Sequence, residues 1–209
     1  VTYFDWHEQP GYFRDVTRHF EHDTALLDVG CGTGWLGDHF ENYTGIDGSS
    51  EAVAIASAHA RNVRQADLDA PLPFADQSFD AVVLKDVLEH VRDPVALVRE
   101  THRVLRPAGL VFASSPDAQR WVWDDYTHLR AFSRRSFRRL FADQGFLVET
   151  VGHESVLPGV GILSRHTRRK RRPRVFVVLA AVPWLRRNVW VLARRPPSGA
   201  PIRPDQDPS

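Results

Sequence analysis

The sequence has little of what would place it in several common classes. It holds one cysteine, Cys31, in 209 residues, so no intrachain disulfide framework is available and the chain suits a reducing compartment. With no base partner implied beside it, Cys31 reads as a small residue in a tight loop rather than a nucleophile. No apolar run reaches the roughly 18 residues that a membrane-spanning helix needs. The opening stretch, "VTYFDWHEQPGYFRDV", is aromatic and acidic, without the basic start and apolar core of a secretory leader. A cytoplasmic location is therefore expected. Acidic residues are themselves scarce in one region. Residues 1–155 hold 15 Lys/Arg against 24 Asp/Glu, whereas residues 156–209 hold 12 against 2, an asymmetry hidden by the net charge of +1.

What is present is ordinary for one α/β domain with a sizeable core: 43% hydrophobic and 25% charged residues. An apolar face at Tyr12, Phe13, Val16 and Phe20 predicts a helix over about 8–22. Strand and helix signals then alternate. Strands are expected at 25–29, 43–46 and, more weakly, "NVRQAD"; 34–40 reads as a short helix. "SSEAVAIASAHA" opens on a serine cap. "FDAVVLKD" (79–86) reads as a strand buried on both faces. "DPVALVRETHRVL" reads as a helix stopped by Pro107 and Gly109, "GLVFASS" as the next strand. Beyond an aromatic, polar connection lie a cationic helix capped near Ser133, the strand "FLVETVGHES" and the late strand "NVWVLARR". Strands separated by helices of this length predict a doubly wound parallel sheet. The Pro-rich stretch 196–209 reads as a disordered tail.

The chemistry concentrates in "LLDVGCGTGWLG" (26–37). From Gly32 it contains G-x-G-x-x-G, a weak dinucleotide signal on its own; from Asp28 it contains D-x-G-x-G-x-G. A glycine turn between strand and helix lets a ligand approach the backbone, and this serves a pyrophosphate or a carboxylate equally well. Three acids decide against a nicotinamide or flavin cofactor. Asp28 would repel a pyrophosphate but suits a cationic group, directly or through water. Asp47 ends the next strand, where an acid can hydrogen-bond both ribose hydroxyls. Asp67, with the Leu68 backbone, can meet an adenine edge, although Asp67 could be a plain turn residue and Asp69 could take its part. One cradle for a negative group with three carboxylates matches an amino acid fused to adenosine.

At this point the chain resembles the class I S-adenosylmethionine-dependent methyltransferases of the bacterial small-molecule type. The resembling residues are "LLDVGCGTG", "GIDGS", "ADLDAPLPFADQSFD", "VVLKDVLEHVRDP", "RVLRPAGLVFAS" and "HLRAFSRRSFRRLFADQGF", in the expected order over about 24–153. The resemblance implies a Rossmann-like sheet of seven strands with helices on both faces, mostly parallel with the last strand antiparallel, a role that "NVWVLARR" fits. It implies S-adenosylmethionine as cofactor and S-adenosylhomocysteine as product. Gly30, Cys31, Gly32 and Gly34 would line the methionine part, with Asp28 serving its cationic group directly or through water. Asp47 and Gly48 would hold the ribose, Asp67 and Leu68 the adenine, and Asp86 would lie beside the transferred methyl. Gly37 reads as helix packing.

The resemblance also implies a methyltransferase domain over 1–195, with a substrate lid at 117–132 and a basic, apolar insertion at 155–187. His90, which could share a helix face with Asp86, is a structural or an acid–base residue. His128 is a general base or a helix-cap partner. Trp123, Asp124, Asp125 and Tyr126 are candidates for the lid wall. Tyr3, Trp6 and Tyr12 either close over the cofactor or pack on the sheet. No metal-ligand set is assigned.

The run from Arg165 to Arg174 carries seven cations beside the apolar stretch 175–182. It packs on the domain, lies on an anionic membrane surface through 165–187 at the inner face, or meets RNA. The absence of interleaved aromatics disfavours nucleic acid. The expected activity is methyl transfer to a small-molecule or lipid-linked acceptor. Alternatives are a non-catalytic cofactor-binding partner subunit and an RNA methyltransferase.

Overall fold

Apolar runs from the first half of the chain lie side by side as the parallel part of one sheet. The computed structural model describes residues 13–59, 61–155 and 186–199. Within them the order is α1 (Arg14–Thr17), β1 (Leu26–Val29), a 3₁₀ turn (Trp35–His39), β2 (Tyr43–Asp47), α2 (Ser50–Ala58), β3 (Val63–Gln65) and β4 (Phe79–Lys85). There follow α3 (Pro94–Val104), β5 (Leu105–Pro116), a second 3₁₀ turn (Arg120–Asp124), α4 (Arg134–Ala142), β6 (Leu147–Ser155) and β7 (Arg186–Arg194). The strands form one seven-stranded sheet in the order β3-β2-β1-β4-β5-β7-β6. β1 pairs parallel with β2 and β4, β2 with β3, and β4 with β5, while β7 lies antiparallel between β5 and β6. The fold is thus the Rossmann-like sheet the sequence implies.

Period-two alternation assigns the two faces. Leu27, Val29, Val82, Leu84, Val111 and Ala113 pack on one side with Leu97 and Val98 of α3 and Phe137 and Phe141 of α4. Leu26, Ala81, Val83 and Phe112 pack on the other with Val16, Leu36 and Phe40. The helices start where their caps are. Ser49 accepts from Ala52 N, Asp93 from Ala96 N with Pro94 in the first turn, and Ser133 from Ser136 N within a capping box. Each such cap contributes about 1 kcal/mol.

Two expectations change, and one reading left open is decided. The N-terminal helix is described only over Arg14–Thr17 and gives way to turns before His22, while residues 8–12 lie outside the described residues. β5 begins at Leu105, directly after α3, rather than at Gly109. The chain turns extended there because a residue before proline avoids helical backbone, and Pro107 imposes this on Arg106. The segment around "VLEHV" is a turn rather than a helix, closed by His90 N donating to Val87 O at 3.0 Å. His90 and Asp86 therefore share no helix face. Tyr3, Trp6 and Tyr12, the insertion from 156 to 185 and the tail from 200 lie outside the described residues.

Candidate functional site

Strand order reverses at the β1/β4 pair: β2 and β3 lie beyond β1, β5 beyond β4. The carboxyl ends of β1, β2 and β4 thus open the crevice in which doubly wound sheets hold ligands.

The loop after β1 turns through three left-handed glycines, Gly30, Gly32 and Gly34, at φ +72°, +54° and +74°. A Cβ at Gly30 would stand 2.6 Å from Val87 Cγ2, so the position is closed to side chains on both counts. Main-chain bonds hold the loop: Gly30 N and Cys31 N donate to Ile46 O at 2.8 and 3.1 Å, and Gly34 N to Cys31 O at 3.0 Å. Asp47 completes it. One carboxylate oxygen accepts from Gly32 N and the other from Ser49 N, both at 2.8 Å. A carboxylate oxygen accepts more than one bond, so Asp47 retains capacity for a pair of hydroxyls while fixing the loop.

Behind the loop lies a buried polar group. Asp28 is 4% exposed and accepts from Tyr43 Oη at 2.9 Å. Burial pushes its carboxyl up to about 7, against the bond from Tyr43, and nearby Asp47 adds to the rise. Tyr43 is the partner that sequence reading missed, since nothing in its spacing marks it. Cys31 is buried, and its thiol donates weakly to Gly32 O at 3.6 Å. Burial raises the thiol far above its ordinary range. It sits as a buried group within the tight loop.

Gly48, Asp67 and Leu68 line one cavity of about 520 Å³ together with Ala66, Asp69, Val87, His90 and Val91. Asp67 accepts from Asp69 N at 2.9 Å and so also makes a turn. Asp69 lines the same cavity. Its Oδ1 takes Arg92 N at 2.7 Å, and its Oδ2 lies 3.2 Å from Arg92 Nε, clamping the far wall.

Asp86 sits where β4 ends, at φ +55°, a backbone cost of order 1 kcal/mol for a non-glycine residue. Its Oδ1 accepts from Ser114 Oγ at 3.0 Å and from Asn188 Nδ2 at 3.1 Å, so β5 and β7 both aim it. Neither Ser114 nor Asn188 was singled out in the sequence.

The connection from Asp117 to Phe132, which form a bridge, lies against the 87–92 turn. Leu129 N donates to Glu89 O at 2.8 Å, and the Arg130 guanidinium donates to the carbonyls of Leu88, Val91 and Arg92. The His90 and His128 rings meet with centroids 4.8 Å apart. His128 Nδ1 lies 2.6 Å from Val122 O, which only accepts. That nitrogen therefore carries a proton, while Nε2 lies 3.7 Å from Asp125 Oδ2. His90 Nδ1 lies 3.3 Å from Thr127 O and 3.1 Å from Thr127 Oγ1. The threonine hydroxyl gives its hydrogen to Asp125 Oδ1 at 2.6 Å, so His90 Nδ1 is also the donor. Burial, then His128, lowers the His90 pKa.

Beneath both rings Glu89 is fully buried. Burial holds its carboxyl well above the usual range, and Asp86 adds to this. Its neighbour in the sequence drew attention and Glu89 did not. In the same connection Trp123, Tyr126 and Leu129 are 57%, 94% and 53% exposed.

A family model described as a methyltransferase domain matches residues 27–113. A ubiquinone biosynthesis O-methyltransferase of Pseudomonas aeruginosa is 35% identical over 100 residues, 43% of this chain and 43% of that protein. A protein of Mycolicibacterium smegmatis named a probable S-adenosylmethionine-dependent methyltransferase is 31% identical over 173 residues, 76% of this chain and 66% of that one. The chain spans less than half the length of the ubiquinone-pathway proteins it matches. The fold is shared with a methyltransferase from Haloferax volcanii solved in complex with the Trm112 methyltransferase activator. That likeness has a TM-score of 0.68 at 20% identity and covers 91% of this chain and 90% of that one.

Proposed function

We propose, for a chain that belongs to the class I S-adenosylmethionine-dependent methyltransferases, that it transfers a methyl group to a hydroxyl of a small-molecule or lipid-linked acceptor. The observation that carries the hydroxyl is the imidazole pair. Both rings are held with Nδ1–H toward the groups they touch, and His90 lines the cavity with His128 packed against it.

The residues present fit the cofactor. Three left-handed glycines leave room for a ligand against the backbone, Asp47 keeps acceptor capacity for the ribose, and Asp67 and Leu68 line the adjoining cavity. Buried Asp28, whose proton a cationic group would displace, offers its carboxylate to the methionine ammonium. When bound, S-adenosylmethionine supplies an electrophilic methyl on a sulfonium, whose neutral thioether leaves without acid assistance.

The chain's own work is then orientation and proton removal. In-line transfer needs the reacting atoms held about 3–3.5 Å apart. Asp86, fixed by Ser114 and Asn188, forms one side of that geometry. A hydroxyl acceptor needs a base and an amine does not, and His128, with its Nε2 lone pair, is assigned to take the proton while His90 orders the ring beside it. Exposed Trp123, Tyr126 and Leu129 suit an aromatic or otherwise apolar acceptor body. The ubiquinone-pathway relative supports this class, as its name states an O-methyltransferase. Among the described residues no helix is long and apolar enough to cross a membrane. Surface contact through 165–187 falls outside those residues.

The test is transfer of labelled methyl from S-adenosylmethionine to a panel of phenols and matched anilines. Turnover on phenols, reduced about 10²–10⁴-fold by His128→Ala, is expected. Turnover on anilines alone would overturn the hydroxyl assignment.

A further inference from the structure

We propose that Glu89, His90 and His128 form a binding site for one divalent transition-metal cation of the zinc type, where the 87–92 turn meets the 117–132 connection. The inference rests on the preceding reading in placing this site on the acceptor side of the cavity; with the cation bound, the His128 Nε2 lone pair is a ligand, and the cation would supply acidification of the acceptor hydroxyl in place of His128 as base.

The three side chains offer a carboxylate oxygen and two ring nitrogens that lie within 4.8 Å of one another. Around a metal with bonds near 2.1 Å, donors sit roughly 3.4 Å apart in a tetrahedron, so a modest inward turn of the rings closes the set. Glu89 is the second, independent observation. It is wholly buried, and neither carboxyl oxygen has a hydrogen bond of good geometry among the described residues, although the Ser115 hydroxyl lies close enough to turn toward it. A buried carboxyl group left this way calls for an explanation such as a bound ion.

Hydrogen bonding prepares both imidazoles for the same role. Metal-bound histidine characteristically gives its other ring N–H to a carbonyl or carboxylate, which fixes tautomer and orientation. Val122 O does this for His128 and Thr127 for His90. Thr127 is in turn anchored on Asp125. The two ligand-bearing segments are stitched together by Leu129 N on Glu89 O and by Arg130 on three carbonyls of the turn. Two nitrogens and one carboxylate select zinc, cobalt or nickel over magnesium. Three protein ligands leave a position for water or an acceptor hydroxyl, the pattern of catalytic rather than structural sites. The sequence conceals the set because His128 lies 38 positions beyond His90.

The experiment uses the full chain, stripped with chelator, and titrates cobalt(II) chloride by visible absorption and zinc chloride by calorimetry. The expected result is one equivalent of cobalt with the visible bands of four- or five-coordination, displaced by zinc. Affinity should fall at least tenfold in His128→Ala and in the isosteric Glu89→Gln, each checked for folding by thermal melt. S-adenosylmethionine titrated into the same variants should bind as in the parent, since neither side chain lines the cofactor cavity. Absence of stoichiometric cobalt uptake, or uptake unchanged by both substitutions, overturns the site. Failure of S-adenosylmethionine to bind a chain that takes up cobalt normally would instead overturn the cofactor reading.

Discussion

The two halves of the crevice are held together differently. The β1 loop and the end of β2 are shaped by main-chain bonds, left-handed glycines and one carboxylate that bonds two backbone N–H groups. The wall across from them, residues 117–132 against 87–92, rests on side chains reaching backbone: Arg130 on three carbonyls, His90 on Thr127, His128 on Val122. Backbone architecture of the first kind accepts almost no substitution and so suits an invariant ligand. A wall of the second kind can be rebuilt by changing a few side chains, which suits an acceptor that differs from one enzyme to the next. Function is read from the site and not the fold. Here the site divides into a fixed part and an adjustable part.

Four substitutions would break or sharpen that contrast, the largest effect first. Gly30→Val puts a β-branched residue at φ +72°, with its Cβ 2.6 Å from Val87. Loss of several kcal/mol in denaturant unfolding and no measurable cofactor binding are expected. A chain that tolerated it would show the loop to be adjustable after all.

His128→Ala should then lower turnover while leaving cofactor affinity within about twofold, placing its effect wholly on the acceptor side. Arg130→Ala comes next. Losing three carbonyl contacts should raise the acceptor KM about tenfold by loosening the wall, and calorimetry should show the cofactor Kd nearly unchanged. A parallel loss of cofactor affinity would mean that the two halves are one unit.

The effect on turnover is smallest at Asp28, where a pH dependence of stability is expected. Its folded carboxyl is raised to about 7 from an ordinary 3.8. The folded state therefore holds a proton that the unfolded chain has released. Stability from this group is fully present below about 3.8, is lost as pH rises towards 7, and is constant above. Asp28→Asn, which keeps an oxygen for the Tyr43 hydroxyl, should flatten that window. The parent should lose on the order of a few kcal/mol at most, relative to the variant, between pH 4 and 8, followed by thermal melts. A cationic ligand group should pull the proton off, so cofactor binding near pH 6 should release protons, visible as buffer-dependent heats.

The same contrast explains what could be read in the sequence. Local signals carry the cofactor half. Gly30, Gly32 and Gly34 announce left-handed backbone, Asp47 follows a strand, and Ser49, Asp93 and Ser133 mark helix starts through their own cap bonds. Alternating apolar residues gave away both faces of the sheet. Groups joined only by tertiary contact stayed hidden: Tyr43 on Asp28, Asn188 on Asp86 across 102 positions, and Glu89 beneath His128. Local pattern left "VLEHV" open between helix and turn, and the chain turns there just after the left-handed Asp86. The start of β5 was misplaced because Pro107 was taken to end a helix, when it lies within the strand that follows.

The most direct test of the account is calorimetric titration of S-adenosylmethionine, S-adenosylhomocysteine and NADH into the protein and into Asp47→Asn. The substitution keeps an oxygen for Gly32 N and removes the charge. Binding of the first two ligands alone, weakened about 10–100-fold in the variant as expected for losing charge-assisted hydrogen bonds, is the predicted result. Binding of NADH in place of S-adenosylmethionine would contradict it.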